Sequence, residues 1–438
     1  MEHRGNKCFD GGAIMVENKS GSMIETKHDD EGPALIMPLP RVSVQAFCET
    51  QGVASIINQA IPDRRMDKAH VKVHMGGAYA AVEAYRSAPT PNVIILETSG
   101  NSEELHANLN ALAEFTDEGT KIVVIGHIND IRLYRDLKQL GISEYLVMPF
   151  DALDLISGLS GLYGEQTGGK LGRIIAVVGA KGGVGASTIA HNLAWSIAHH
   201  QDIVSVLADL DIAWGTAGLN FNQDPPQGIA EALFAPDRLD ANLLDRLLSK
   251  CSEKLSMLAA PAMLDRHSDF EETAFDGIFD ILRSTVPCIV ADVPHSWSAW
   301  TRRVLVAADE IVIVAAPDLA NLRNTKNLLD NLKVARPHDT PLKLVLNGVG
   351  LPKRPEITAA DFAKQVDLEP IISLPFDARL FGTSANNGQM IHEIDGQGAI
   401  AVAIDELARL VTGRSELRKP KRSLLSPLMD RLTRKKAS

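Results

Sequence analysis

Between Arg173 and His200 the chain reads RIIAVVGAKGGVGASTIAHNLAWSIAHH. A short apolar run, Ile174 to Val178, leads into a glycine-rich turn, Gly179 to Gly185. A helical pattern follows, in which Ile189, Ala190, Leu193, Ala194, Ile197 and Ala198 recur at three- and four-residue spacing. Strand, glycine loop and helix in this order form a phosphate-binding loop. Glycines let backbone N–H groups turn inward around phosphate oxygens, and the helix N-terminus adds a partial positive charge. Gly182, Gly183, Val184, Gly185, Ala186, Ser187 and Thr188 are the expected nucleotide-binding residues. Ser187 stands where such loops carry the hydroxyl that ligates Mg²⁺. The expected ligands are therefore ATP and Mg²⁺.

The usual loop ends in Gly-Lys-Ser/Thr, but here Ala186 stands between Gly185 and Ser187. The lysine that reaches the β- and γ-phosphates is missing. A second lysine, Lys181, sits at the front of the loop. This Lys-Gly-Gly-Val-Gly run resembles the deviant Walker A loop of the ParA/MinD ATPase family. In that family the front lysine crosses a dimer interface to the partner's nucleotide, and Lys181 matches it. The resemblance implies a homodimer with Lys181 in a catalytic role. The Ala186 departure implies weak or absent hydrolysis.

The remaining elements after residue 173 extend the resemblance. A strand over Ile203 to Leu207 ends in Asp209-Leu210-Asp211, two carboxylates at a strand's C-terminal end, where open α/β sheets carry their chemistry. Asp211 matches the family's second aspartate, which helps to orient the attacking water and the metal. A strand from Cys288 to Ala291 ends at Asp292, the Walker B form whose carboxylate holds Mg²⁺ through water. Leu342 to Leu346 reads as a strand ending in Asn347, which matches the family's adenine contact. Pro375-Phe376-Asp377 matches a loop that closes over the base. Residues 236–261 read as an amphipathic helix leading into an apolar strand, and Asn324 to Ala335 as a further helix.

Five alternations of apolar run and helical pattern precede this domain, with strands at Val42–Phe47, His70–His74, Val93–Leu96, Lys121–Ile125 and Tyr145–Val147. Such βα repetition predicts a small doubly wound parallel sheet of flavodoxin-like type. The phrase GISEYLVMPFDALDL resembles the end of a response-regulator receiver domain. Four positions depart from that pattern: Met148 replaces the lysine before Pro149, Glu97 replaces the phospho-accepting aspartate, Cys48-Glu49 replaces the acidic pair, and Gly126-His127 replaces the Ser or Thr. A receiver-like fold without phosphorylation chemistry is expected. Glu97 is either a phosphoryl mimic or a polar residue at a strand end.

The fold class is thus α/β, with two doubly wound parallel-sheet domains: a flavodoxin-like receiver, then a P-loop NTPase of ParA/MinD type. The expected organisation is a disordered lead over 1–38, a degenerate receiver over 39–163, a glycine-rich linker over 164–172, the ATPase domain over 173–412 and a basic tail over 413–438. A net charge of −11 argues against a general nucleic-acid binder. The four cysteines have no paired spacing, which excludes a disulfide framework and fits a reducing cytoplasm. No segment has signal-peptide or membrane-spanning character. The thirteen histidines, including the adjacent His199 and His200, fall in no metal-ligand spacing. In the tail, Leu425, Leu428, Met429 and Leu432 share a helical face amid basic residues. That composition leaves open a solvating tail, an amphipathic membrane anchor and a nucleic-acid contact.

A degenerate receiver joined to a ParA/MinD-like domain with this loop resembles the CpaE/TadZ family of pilus-assembly proteins. The resemblance implies an ATP-binding factor that helps to position a Tad (Flp) pilus machine, related to type II secretion, at a cell pole. It implies a cytoplasmic protein, peripheral at the inner membrane, with pilus secretion proteins as partners. An active ParA/MinD-type positioning ATPase for DNA or the division site is the alternative.

Overall fold

The computed structural model describes residues 36–99, 102–164, 171–260, 264 and 269–413. Most of the expected lead, the middle of the linker and the basic tail lie outside these residues. Both sheets fall within one compact unit.

The first domain alternates β1 (Val42–Cys48), α1 (Gln51–Ala60), β2 (Ala69–Met75), α2 (Gly77–Tyr85), β3 (Val93–Thr98), α3 (Ser102–Ala113), β4 (Lys121–Gly126), α4 (Ile131–Gln139), β5 (Glu144–Val147) and α5 (Ala152–Gly164). Its sheet runs β2-β1-β3-β4-β5, all parallel, the flavodoxin-like order expected from the sequence. β3 lies at the centre with all six residues buried, which is why VIILET reads as a continuous apolar run rather than an alternating one. Helix α1 starts at Thr50, whose hydroxyl accepts from Val53 N–H, an ordinary N-cap.

The second domain carries β6 (Arg173–Gly179), α6 (Ala186–His200), β7 (Ser205–Asp209), β8 (Ser249–Lys250), β9 (Leu255–Leu258), β10 (Cys288–Val293), β11 (Glu310–Ala315), β12 (Lys343–Val349) and β13 (Pro370–Pro375). The strand order is β13-β12-β11-β6-β10-β7-β9-β8, parallel except for β8, which pairs antiparallel with β9. β6 lies between β10 and β11, so the glycine loop leaves the sheet at the point where strand order reverses. Side chains alternate between two cores along β6. Ile175 and Val177 pack towards α6 and helix Ala399–Val411, whereas Ile174, Ala176 and Val178 share the opposite core with Phe275, Trp300 and Phe362.

Residues 236–261 hold the expected helix leading into a strand, both shorter than the span suggests. Only Ala241–Leu247 is α-helical, after a 3₁₀ turn at Pro236–Arg238. Leu248 is already extended, and Ser249–Lys250 then pairs with Ser256–Met257. Leucines at helical spacing continued past the helix because the following strand buries one face too. Two boundaries also shift. β7 begins at Ser205 rather than Ile203, after Asp202 takes a left-handed turn (φ 61°). The helix expected at Asn324 starts at Leu319, capped by Asp318, which accepts from Asn321 N–H at 2.9 Å.

Buried ion pairs join the two domains. Arg64, only 4% exposed, donates to Asp339 at 2.8 and 3.2 Å and to Asp309 and Ala307 O at 3.3 Å each. Arg65 bonds Asp63 within its own domain and Asp339 across the seam. Arg283 and Arg336 complete the cluster from the second domain, at 2.6 Å from Asp309 and 2.8 Å from Asp339. Lys68–Asp280 and Arg303–Asp67 add two partly exposed pairs at the rim. Asp309 precedes β11 and its carboxylate accepts from Ile174 N–H near the start of β6. The seam therefore lies at the opposite edge of the sheet from the glycine loop.

Candidate functional site

Strand β6 ends buried at Gly179, and the next residues turn back sharply. Ala180 N–H donates to Val314 O and Ala180 O accepts from Asn324 Nδ2, both at 2.8 Å, which fixes the loop's first limb. His295 Nδ1–H donates to Gly179 O at 2.9 Å. Gly185 ends the loop with φ +87°, and a Cβ there would stand 2.6 Å from Asn347 Nδ2. Only glycine fits both the left-handed backbone and that approach. Helix α6 then begins at Ala186 with no side-chain cap. The N–H groups of a helix's first turn have no intrahelical partner, so these donors face the loop's concavity. An uncapped helix N-terminus inside a glycine cradle is a fitting host for a phosphate chain. Lys181 is exposed at the front of this loop and Ala186 offers no cation at its rear. Lys181 and Arg354 help to hold the Asp318 carboxyl below its ordinary value. Burial pushes the other way, and the bonds from Asn321 are the larger counterweight.

The carboxylates meet at the C-terminal edge of the sheet. Asp209 and Asp292 are register partners on β7 and β10, so their side chains emerge next to one another. His191 of α6 joins them, fully buried, with Nε2 3.3 Å from Asp292 Oδ2. Ligand atoms of all three lie within 4.8 Å of one another. His191 Nδ1 meets Asn220 Nδ2 at 2.7 Å, while Nε2 makes no hydrogen bond. Asp209 accepts from the N–H groups of Asp211 and Ala217, both at 3.1 Å. Burial, and then the Asp292 charge, push the Asp209 carboxyl up to about 6 against the pull of His191. Two buried carboxylates facing a single imidazole leave an excess of negative charge, an arrangement that fits a divalent cation.

The other expected site residues lie close by. Asp211 is half-buried, accepts from Trp214 N–H at 3.0 Å, and has its carboxyl raised by burial. It lies outside the buried cluster, which takes Asp209 instead. Asn347 donates through Nδ2 to Val184 O at 2.8 Å, and its buried Oδ1 has no partner. Pro375 and Phe376 are exposed at the end of β13, where Phe376 N–H donates to Val349 O. Ser187 and Thr188 lie half-buried in the first turn of α6.

Spacing along the chain missed His191, Asn220, His295 and Asn324. It also missed two histidine–carboxylate groups, His191/Asp209/Asp292 and His200/His392/Asp405. Each group draws its members from separate elements, so no spacing along the chain marks it. His191 alone left a trace, being the one ionisable residue in the buried run Ile189–Ala194.

In the first domain Glu97 is fully buried. Its carboxylate accepts from Glu49 N–H, Thr50 N–H and Thr50 Oγ–H at 2.7–2.8 Å, and it lies 3.4 Å from His127 Nε2. It thus holds the turn from β1 into α1, with its oxygens already committed. The buried Cys48 thiol is pushed up to about 11, first by burial and then by Glu97. Burial likewise pushes Cys288 up to about 12, so neither is a ready thiolate. Among the described residues no helix is long and apolar enough to cross a membrane.

A family model described as an AAA domain, AAA_31, matches residues 172–343. The septum site-determining protein MinD of Synechocystis is 25% identical over 257 residues, which is 56% of this chain and 91% of that protein. The solved pilus assembly protein CpaE of Caulobacter crescentus CB15 is 42% identical, covering 29% of this chain and 97% of that one, with a TM-score of 0.29. The solved CpaE2 of Sinorhizobium meliloti 1021 is 35% identical, covering 28% and 99%, with a TM-score of 0.27. On sequence identity across nearly the whole of both solved relatives, the chain belongs to the CpaE family of pilus assembly proteins, and its second domain is of the ParA/MinD-like ATPase type.

Proposed function

We propose that the chain is an ATP-binding localisation and assembly factor for a Tad (Flp) type pilus secretion system, acting as a nucleotide-dependent dimer switch at the cell pole. One observation carries the reading: a complete phosphate cradle, built on an uncapped helix N-terminus, ends in Ala186 where a cation would neutralise the transferring phosphoryl group. Gly182 to Gly185 and the first turn of α6, with Ser187 and Thr188, hold the phosphates. Asn347 and Pro375 lie beside the base. Ser187 and Asp292 hold Mg²⁺, which supplies charge neutralisation at the phosphates. Asp211 orients water.

Phosphoryl transfer is catalysed almost entirely by positioning and electrostatics, so an absent cation slows it while leaving binding in place. Lys181, exposed on the loop's front, reaches a partner's nucleotide. ATP is then a ligand of the dimer, and a ligand shifts a population by its differential affinity for the two states. Pilus secretion proteins read the dimer, and the basic tail contributes an inner-membrane contact. The test is molecular mass with and without a non-hydrolysable ATP analogue. The wild type should dimerise with it and Lys181→Ala should stay monomeric while still binding nucleotide. Analogue-dependent dimers in Lys181→Ala would refute the cross-interface role.

A further inference from the structure

The far end of α6 carries a second convergence of ligand-type side chains. His200 is the last residue of α6, His392 lies on the short helix Ile391–Asp395, and Asp405 lies on helix Ala399–Val411. His200 Nδ1 stands 2.8 Å from Asp405 Oδ1, and His392 Nε2 stands 3.2 Å from Asp405 Oδ2. The two imidazole centroids are 4.0 Å apart. We infer that His200, His392 and Asp405 form a transition-metal site of the Zn²⁺ class, separate from the nucleotide's Mg²⁺, that pins the C-terminus of the phosphate-loop helix to the two last described helices.

The geometry is close to what such an ion needs. Ligand atoms at Zn–N and Zn–O distances near 2.0–2.1 Å in a tetrahedron stand about 3.3 Å from one another. The two observed separations run to different oxygens of Asp405, and one ligand atom from each of the three residues lies within 4.8 Å of the others, so modest side-chain movements bring them round one ion. Each neutral imidazole then coordinates through the nitrogen now facing Asp405 and carries its proton on the other ring nitrogen. The carboxylate is ready for this role. Ser196 Oγ–H donates to Asp405 Oδ1 at 2.6 Å and orients it, as metal-bound carboxylates usually require. Gly396 makes room for the His392 ring, since a Cβ there would stand 2.8 Å from Nδ1. Trp195 packs on His392, with centroids 5.2 Å apart and planes at 24°, and gives the site an apolar wall.

His200 is partly exposed, which leaves a fourth position open to water or a partner's side chain. Two imidazoles and one carboxylate suit Zn²⁺, Ni²⁺ or Cu²⁺ and disfavour Mg²⁺. Helix α6 has fifteen residues, so this site lies about 20 Å from the phosphate loop.

The test is titration of the full chain with Zn²⁺ in excess Mg²⁺ by calorimetry, with tryptophan fluorescence, to which Trp195 contributes beside the site, as a reporter and Co²⁺ absorption as a check on tetrahedral nitrogen and oxygen ligation. One equivalent should bind and perturb the tryptophan signal. His392→Ala, Asp405→Asn and His200→Gln, at the most exposed of the three ligands, should each weaken binding at least about 10- to 100-fold. His70→Ala, an exposed position on β2 of the first domain, should leave it unchanged. Absence of Zn²⁺ uptake, or uptake indifferent to His200→Gln and His392→Ala, would overturn the proposal and leave a hydrogen-bonded His–Asp–His network only.

Discussion

Removing Asp339 should cost more than removing Arg64, although the two share a buried pair at the domain seam. Four guanidinium groups, Arg64, Arg65, Arg283 and Arg336, face three carboxylates, Asp63, Asp309 and Asp339. The surplus is positive. Arg336 registers it: burial first, and the Arg64 charge second, bring its pKa down to about 10. Arg64→Ala leaves Asp309 with Arg283 and the Ile174 N–H, and Asp339 with Arg336 and Arg65, so no carboxylate is orphaned. Asp339→Ala leaves Arg64, Arg65 and Arg336 sharing the carboxylates that remain. Breaking a buried pair costs about 3–5 kcal/mol, so Arg64→Ala belongs near 3 and Asp339→Ala near 5.

The assay follows from the chain's fluorophores. All four tryptophans lie after residue 194 and all five tyrosines before residue 164, so each domain reports separately. In urea the wild-type signals should coincide, as expected of one cooperative unit. In Asp339→Ala the tyrosine and tryptophan transitions should separate. Coincident transitions in both variants, or a larger loss in Arg64→Ala, would refute the account of the seam.

Acid should loosen the same seam. The Asp339 carboxyl is held below its ordinary 3.8: burial, the largest single effect, would raise it, but the Arg64 bond together with the charges of Arg64, Arg336 and Arg65 outweighs burial. A depressed carboxylate contributes stability that is complete above the unfolded value and lost as pH falls through the folded one. Urea midpoints should therefore drop below about pH 4, and the fall should be shallower in Asp339→Asn; an unchanged slope would contradict this. Ala186→Lys should tighten ATP binding by about ten- to a hundred-fold, the equivalent of one charge-assisted hydrogen bond of about 1.5–3 kcal/mol; calorimetry showing no gain would mean that the cradle is already neutralised. The first domain should take no phosphoryl group from acetyl phosphate and Mg²⁺ in a mass measurement. Glu97→Gln should destabilise it by about 1.5–3 kcal/mol, because three donors around Glu97 lose an ionised acceptor, and an unshifted unfolding curve would argue against that role.

Much of this was legible along the chain. Strands buried on both faces, such as VIILET and IVIVA, read as continuous apolar runs, and the phosphate loop is contiguous. What sequence spacing could not show is what strand order brings together. Asp209 meets Asp292 because β10 lies beside β7, and His191 meets both because α6 packs over that edge. Arg64 and Asp339 are 275 residues apart, and no local period marks either. Asp209 and Asp211 were indistinguishable as two carboxylates on one strand end; burial separates them. Within residues 236–261 the order helix then strand was legible, but the leucines alone did not mark where one ends and the other begins.

Steady-state ATPase activity, recorded beside molecular mass on the same purified protein, addresses the central claim most directly. With ATP and Mg²⁺ the account predicts dimers and turnover far below the ordinary enzyme range. Turnover of about 1 s⁻¹ or more would show that another group does the work of the missing lysine at Ala186, and the reading of a slow assembly switch would be wrong.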